Sequence, residues 1–154
     1  MNRAMIINTG FFSCDDPIIK LIKLNNPKDN LFFETDDFVP INAYDFIKGI
    51  CHVFAYVLNE EFKYDIYELY DKNDNYLHHF CMSKYKNIDL YIDVRGITSD
   101  EKKFAEEFGI DDTSNKKLVS FVDKKDGFNN YTLEFAKYVL NKNYDYYLDK
   151  IIDV

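Results

Sequence analysis

The chain contains no tryptophan, three cysteines and two arginines, and each shortage closes off a class of protein. Cys14, Cys51 and Cys81 are odd in number, and no two of them stand in a C-x-x-C spacing. That argues against a disulfide framework and against a zinc cage, so neither a metal nor a cofactor is expected. Arg3 and Arg95 are the only arginines, and acidic residues outnumber basic ones by 27 to 19, giving a formal charge of -8. With no Lys/Arg stripe to neutralise phosphates, nucleic acid is not an expected partner. No apolar run approaches the length needed to cross a bilayer. Ala4-Met5-Ile6-Ile7 is too short for the apolar region of a signal peptide. The reading is a soluble protein of a reducing, cytoplasmic compartment that engages no membrane.

What is present is apolar and aromatic. Hydrophobic residues make up 47% of 154 positions and aromatics 18%, with 14 Phe and 13 Tyr. That is enough for one domain with a real core. The acid is spread along the chain, as on a solvated surface; the sharper alternative is an acidic face that docks on a basic partner or mimics nucleic acid. The abundance of Lys, Asn, Ile and Tyr suits an AT-rich bacterial or phage genome.

Residues 1–41 are the least readable. Ile18 to Ile22 fits a strand or a helical turn, Asn25 to Asn30 a turn cluster, and Leu31-Phe32-Phe33 a short strand. From Asn42 the pattern sharpens. Asn42 can cap a helical turn, and Gly49 interrupts it. Cys51, Phe54, Ala55, Leu58 and Phe62 then recur at helical spacing. Asp65 to Tyr70, Leu77 to Lys84 and Ile88 to Arg95 read as strands. The last alternates, with Ile88, Leu90, Ile92 and Val94 on one face and Asp89, Tyr91, Asp93 and Arg95 on a polar one. Thr98 and Glu101 have capping-box spacing, which predicts a helix to Phe108 ended by Gly109. Lys117 to Val122 is a further strand, and Tyr131 to Leu140 and Tyr144 to Ile152 are helices. The tyrosines of that last stretch are expected to pack in and over the core. The fold class is α+β, an antiparallel sheet with the Cys-bearing helix and the C-terminal helices against it.

Register adds a site. If Tyr85-Lys86-Asn87 is the hairpin loop, Lys84 faces Ile88, and Met82 with Leu90 and Phe80 with Ile92 form two apolar pairs on one face, as a core-facing sheet needs. The same count puts Cys81 opposite Tyr91 and His79 opposite Asp93, within reach of an imidazole–carboxylate hydrogen bond. His78 falls on the Phe80 face as a packing histidine, so His79 is the preferred base. A cysteine acts as a nucleophile when its thiolate is favoured by a helix N-terminus or a nearby imidazolium. Cys51, opening a helix just after Gly49-Ile50, meets the first condition. The predicted triad is Cys51 as nucleophile, His79 as base and acid, and Asp93 to orient the imidazole. His52 points off the Cys51 face as a rim or substrate contact. Arg95 shares a face with Asp93 and would pin that carboxylate or bind an anionic group.

The order of Cys helix, His strand and Asp strand resembles the papain-like and transglutaminase-like cysteine hydrolase superfamily. It is most similar to small bacterial and phage proteins with a Gly-x-Cys-His helix, a His strand and an Asp-x-Arg-Gly strand. The matching stretches are Gly49-Ile50-Cys51-His52, His79-Phe80-Cys81-Met82 and Asp93-Val94-Arg95-Gly96. The resemblance spans about residues 42–108 and implies a single papain-like domain over residues 1–154, with 1–41 and 109–154 as flanking elements. It implies thiol chemistry without naming a substrate. No Gln precedes Cys51 closely enough to supply an oxyanion-hole side chain, and Asn42 is the nearest amide. The expected function is a cysteine hydrolase or acyl transferase acting on an amide or thioester of a protein or peptide substrate. The alternative is a non-catalytic, acidic protein-binding module, such as a phage- or plasmid-encoded inhibitor of a host protein. An open cleft at the triad favours the first, and a packed, closed thiol the second.

Overall fold

The computed structural model describes Ile22 and residues 24–27, 40–85, 87–124, 127–144 and Tyr147. Cys14, the expected elements between Ile18 and Ile22 and at Leu31-Phe32-Phe33, and most of the expected helix from Tyr144 to Ile152 lie outside them.

A 3-10 turn at Ala43–Phe46 leads into helix α1 at Cys51–Phe62. Strands β1 (Asp65–Tyr70), β2 (Tyr76–Tyr85), β3 (Ile88–Asp93) and β4 (Gly96–Thr98) follow, then α2 (Glu101–Glu106), β5 (Lys116–Val119) and α3 (Asn130–Lys142). The five strands form one sheet in the order β4-β3-β2-β1-β5, with every neighbouring pair antiparallel. The α+β architecture is therefore as the sequence predicts.

Two apolar layers flank the sheet. On one face α1 and α3 pack over Ile66, Cys81, Leu90, Ile92, Val94 and Ile97. On the other, Phe104 of α2 closes over Leu69, Phe80 and Tyr91. Because α3 covers its flank, α1 buries Val53 and Val57 as well as the predicted Cys51, Phe54, Ala55, Leu58 and Phe62.

The start of α1 is set locally. Asn42 accepts the Tyr44 N–H at 2.9 Å, and Asp45 returns the contact by accepting the Asn42 N–H at 3.2 Å. Gly49, at φ 107°, then breaks the chain direction. Only glycine takes that conformation without strain, so α1 cannot run back through it and begins at Cys51. The other α2 cap differs from expectation. Thr98 is tied into β4 opposite Tyr91, its hydroxyl accepts the Asp100 N–H at 3.0 Å, and Asp100 caps α2 by accepting the Lys103 N–H at 3.0 Å. Strand β5 is also shorter than expected, because it pairs with β1 only from Ile66 to Leu69.

The β2–β3 register differs from the expected one by a single residue. Tyr85 pairs with Ile88, so two residues rather than three separate the paired strand ends. Asn87 adopts φ 69°, a left-handed conformation that two-residue hairpin turns require and Asn tolerates. Met82 therefore faces Tyr91 and Cys81 faces Ile92. By strict alternation Asp93 shares the side of the sheet that carries Phe80 and His78, not that of His79. Most of the supposed polar face of β3 is also buried: Asp89 stays exposed, but Tyr91 packs against Phe104 of α2, and Asp93 and Arg95 are buried as well.

Phe80 stands at the centre of the α2-side layer, fully buried and 5.0 Å from the Phe104 ring. Phe80→Ala is expected to remove about 3–5 kcal/mol of stability, a large share of that of a small domain. Urea unfolding should show it as a fall in midpoint at unchanged slope.

Candidate active site

Cys51 occupies the first helical position of α1, where backbone N–H groups lack helical acceptors and the dipole favours an anion. Beyond Cys81, β2 runs on past its registered pairing with β3. There the Cys51 sulfur takes a place beside the strand and accepts the His79 backbone N–H at 3.2 Å. The thiol is thus held at the end of the sheet by a helix on one side and a strand amide on the other.

The histidine that completes the constellation is His78, not His79. His78 Nε2 lies 3.1 Å from Asp93 Oδ2, and both groups are buried. Its ring packs between Phe108, at 4.3 Å, and Phe80, at 6.4 Å. With Nε2 committed to Asp93, Nδ1 is left buried with no hydrogen-bond partner. It is the nitrogen left to face the Cys51 thiol, the neighbour that acts most strongly on the His78 charge. The one-residue change of register explains the correction: it places the carboxylate on the His78 side of the hairpin. His79 approaches Cys51 through its backbone, and its ring turns elsewhere, toward Tyr76 and Glu68.

Asp93 is the most heavily bonded group of the site. Arg95 grips it with Nε at 3.1 Å from both oxygens and Nη2 at 2.7 Å from Oδ2. The Arg95 backbone N–H adds a bond at 2.9 Å. The guanidinium in turn donates to the Phe104 carbonyl at 3.4 Å and lies 4.9 Å from the Phe104 ring centre. Tyr147 donates its hydroxyl to the Asp93 carbonyl at 2.8 Å and accepts from Asn143 at 3.1 Å. Arg95 is only 3% exposed. It pins the carboxylate, as one of the two expected roles requires, but it is too deep to contact a substrate.

The remaining candidates separate. Asn42 spends its side-chain oxygen on the cap before α1, so it is not shown to serve an oxyanion. His52 does lie at the rim. Its ring is 5.9 Å from that of His79, and with Gly49, Tyr76, His79, Val122 and Asp123 it lines a depression of about 220 Å³. Tyr76 carries no sequence signal that singles it out. Its hydroxyl lies 3.2 Å from Cys51 Sγ and 2.5 Å from His79 Nδ1. Half-exposed at the start of β2, it stands between the depression and the thiol, which is 3% exposed. Among the described residues no cluster of His, Cys, Asp and Glu is arranged to hold a metal ion, and no helix is long and apolar enough to cross a membrane.

Electrostatics follow from these contacts. Burial pushes the Cys51 thiol up, but the nearby His78 charge, with the hydrogen bonds of His79 and Tyr76, outweighs it and carries its pKa well below the ordinary thiol value. Burial likewise opposes the His78 imidazolium, yet the Cys51 charge and Asp93 hold its pKa up at about 9. Asp93, despite its burial, is held far below the usual carboxylate range by Arg95 and His78. Both shifts favour a thiolate beside an imidazolium. Cys81 behaves oppositely: fully buried against the Ala55 carbonyl, its thiol is pushed well above the ordinary value and stays protonated.

These shifts fix the pH dependence of stability. Asp93 and Cys51 have lowered folded values, so what each contributes is full above its unfolded value and lost as pH falls through its folded one. His78 has a raised value, so its contribution is full below about 6.5, its unfolded value, and is lost as pH rises through about 9. Between about pH 6.5 and 9 the folded pair holds one proton on His78 and the unfolded pair holds one on Cys51, so their effects cancel. Below about 6.5 the unfolded chain binds one more, a slope of up to about 1.4 kcal/mol per pH unit. The urea midpoint is therefore expected to be flat from pH 7 to 8.5 and to fall below pH 6, with thiolate absorbance near 240 nm persisting at pH 6.5 and vanishing in Cys51→Ser. A midpoint that declines across pH 7–8.5, with no thiolate absorbance, would place a neutral thiol in the folded protein.

Comparison with protein-family models, with curated proteins and with solved structures finds no match to the chain, so the site stands on its own geometry.

Proposed function

We propose that the protein is a cysteine hydrolase or acyl transferase in which Cys51 attacks the carbonyl of an amide or thioester in a protein or peptide substrate. One observation carries the reading: the thiol at the head of α1 lies near enough to a buried imidazole to act on its charge, and that ring's Nε2 is fixed by a clamped carboxylate. The Cys51 thiolate is the nucleophile. His78 starts as imidazolium, gives its Nδ1 proton to the leaving group as the tetrahedral intermediate collapses, and then takes a proton from the water or amine that releases the acyl group. Asp93 keeps the ring in one orientation and stabilises its charge, and Arg95 keeps Asp93 ionised. No metal or cofactor takes part in this scheme.

Burial of the thiol favours a second reading. A sulfur 3% exposed beneath Tyr76 also suits a non-catalytic scaffold that binds a basic host protein through its acidic surface.

Incubation with 4-nitrophenyl acetate at pH 7, followed by peptide mass spectrometry, separates the two. Catalytic competence predicts acetylation at Cys51 and none at Cys81. His78→Ala should slow it by about 100-fold or more, the usual worth of a positioned acid–base group. His79→Ala should leave Cys51 far more reactive than His78→Ala does. A Cys51 that stays unmodified by both this ester and iodoacetamide in the folded wild type would overturn the enzyme reading and leave the binding scaffold.

A further inference from the structure

We propose that Tyr76 is a catalytic residue: its hydroxyl, backed by His79, is the side-chain donor of the oxyanion hole. The inference rests on the thiol chemistry above and adds the part that Asn42 does not supply.

Three observations converge. The Tyr76 hydroxyl is 3.2 Å from Cys51 Sγ, and the His79 backbone N–H is also 3.2 Å from that atom. Two donors therefore already point at the place where charge sits. The carbonyl carbon bonds directly to that sulfur, so the oxyanion forms less than about 3 Å from it, within a small shift of both donors. Second, the Tyr76 oxygen is 2.5 Å from His79 Nδ1. With Nδ1 protonated, the ring donates to the phenol oxygen and leaves its O–H free to donate inward. His79 Nε2 faces Glu68 at 3.8 Å, and Tyr70 donates its hydroxyl to the other Glu68 oxygen. At 3.8 Å the Glu68 contact is beyond hydrogen-bond distance, so the His79 tautomer that carries its proton on Nδ1 is open to the ring. Third, Tyr76 and His79, both in contact with the Cys51 sulfur, line the depression of about 220 Å³ beside it. A carbonyl entering there meets the hydroxyl on its way to Cys51. Burial and the Cys51 charge also raise the Tyr76 pKa, so the phenol stays a donor.

The step balances. The thiolate pair forms the S–C bond, and the carbonyl π pair moves to oxygen, where the Tyr76 O–H and His79 N–H hold it. Collapse restores the carbonyl, and the leaving group departs with the C–X pair and the His78 proton. Tyr76 transfers no proton, and its hydrogen bond moves from sulfur to oxygen.

Two electrophiles isolate this role. Iodoacetamide alkylates at a saturated carbon, and no carbonyl oxygen takes up charge. 4-Nitrophenyl acetate acylates through an oxyanion. Both depend equally on access to the thiol and on its ionisation, so the ratio of their Cys51 rates reports the oxyanion alone. In the full-length protein Tyr76→Phe is expected to lower the acylation-to-alkylation ratio about 10- to 100-fold, approaching the loss that follows removal of one oxyanion donor. His79→Ala should lower the ratio by a smaller factor. His79→Asn, which can keep an N–H near the Nδ1 position, should restore it, as expected of a positioning residue and not of a packing one. If Tyr76→Phe changes both rates by the same factor, Tyr76 is only a cover on the thiol and the proposal fails. It fails too if acylation is unchanged in Tyr76→Phe. Wild-type Cys51 inert to both probes would instead remove the thiol chemistry itself, and this inference with it.

Discussion

A carboxylate taken out of water governs the rest of this structure. Asp93 lies under α2, and an isolated ion there would be too costly to retain. Its oxygens are satisfied by Arg95 and His78. The guanidinium it recruits is itself buried and is made tolerable by the Phe104 carbonyl and the Phe104 and Phe108 rings. One ion thus accounts for the placing of α2, the turn after β3 and the His78 ring. Breaking such a buried pair typically costs about 3–5 kcal/mol, so Asp93 and Arg95 belong to folding as much as to chemistry. The polar face on which the alternation of β3 places Asp93 is thus not a face open to water at that position.

The same arrangement sets the sulfur. A buried thiol should be neutral, and Cys81, 0% exposed within the α1-side layer, is. Cys51 is nearly as buried, yet its environment contains the head of α1, a strand amide and an imidazolium that Asp93 keeps charged. Two cysteines on the same protein, both out of water, are driven in opposite directions by what replaces the water.

Much of this was legible in the sequence. Helical spacing from Cys51 to Phe62, the glycine stop before it and the strand from Asp65 to Tyr70 stand where the residues predict. Cys51 and Asp93, singled out by chain order and by proximity to Gly49 and Arg95, both lie beside His78. The histidine was missed for a definite reason. Turn length and register are the same quantity in a hairpin, and treating Tyr85 as loop rather than as the partner of Ile88 exchanged His78 for His79. The Lys86-Asn87 dipeptide, with Asn87 able to take a positive φ, was the available signal for the shorter loop. Alternation on β3 misled in another way. Period two separates the faces of a strand but does not say that the polar face is wet, and here α2 covers it. Tyr76 had no local signal at all. It reaches Cys51 across 25 positions of sequence, and among so many tyrosines only the packed structure distinguishes it.

Stabilising a thiolate is not the same as making it reactive. Each donor that lowers the thiol pKa also withdraws electron density, and nucleophilicity falls along with basicity. A site that merely surrounded Cys51 with donors would hold an ion that attacks slowly. The contacts here divide into two kinds. The His78 interaction is kept by the clamped carboxylate and persists as long as the ring is charged. The Tyr76 hydroxyl and the His79 N–H have no such obligation to sulfur; as the S–C bond forms and charge leaves the sulfur, the same donors are free for the oxygen that receives it. An interaction that follows the charge from reactant to intermediate adds little to the resting barrier and most of its strength to the transition state. Fixed backbone and a half-exposed phenol are the parts able to do this in the proposed reaction, and His79 supplies the first and touches the second.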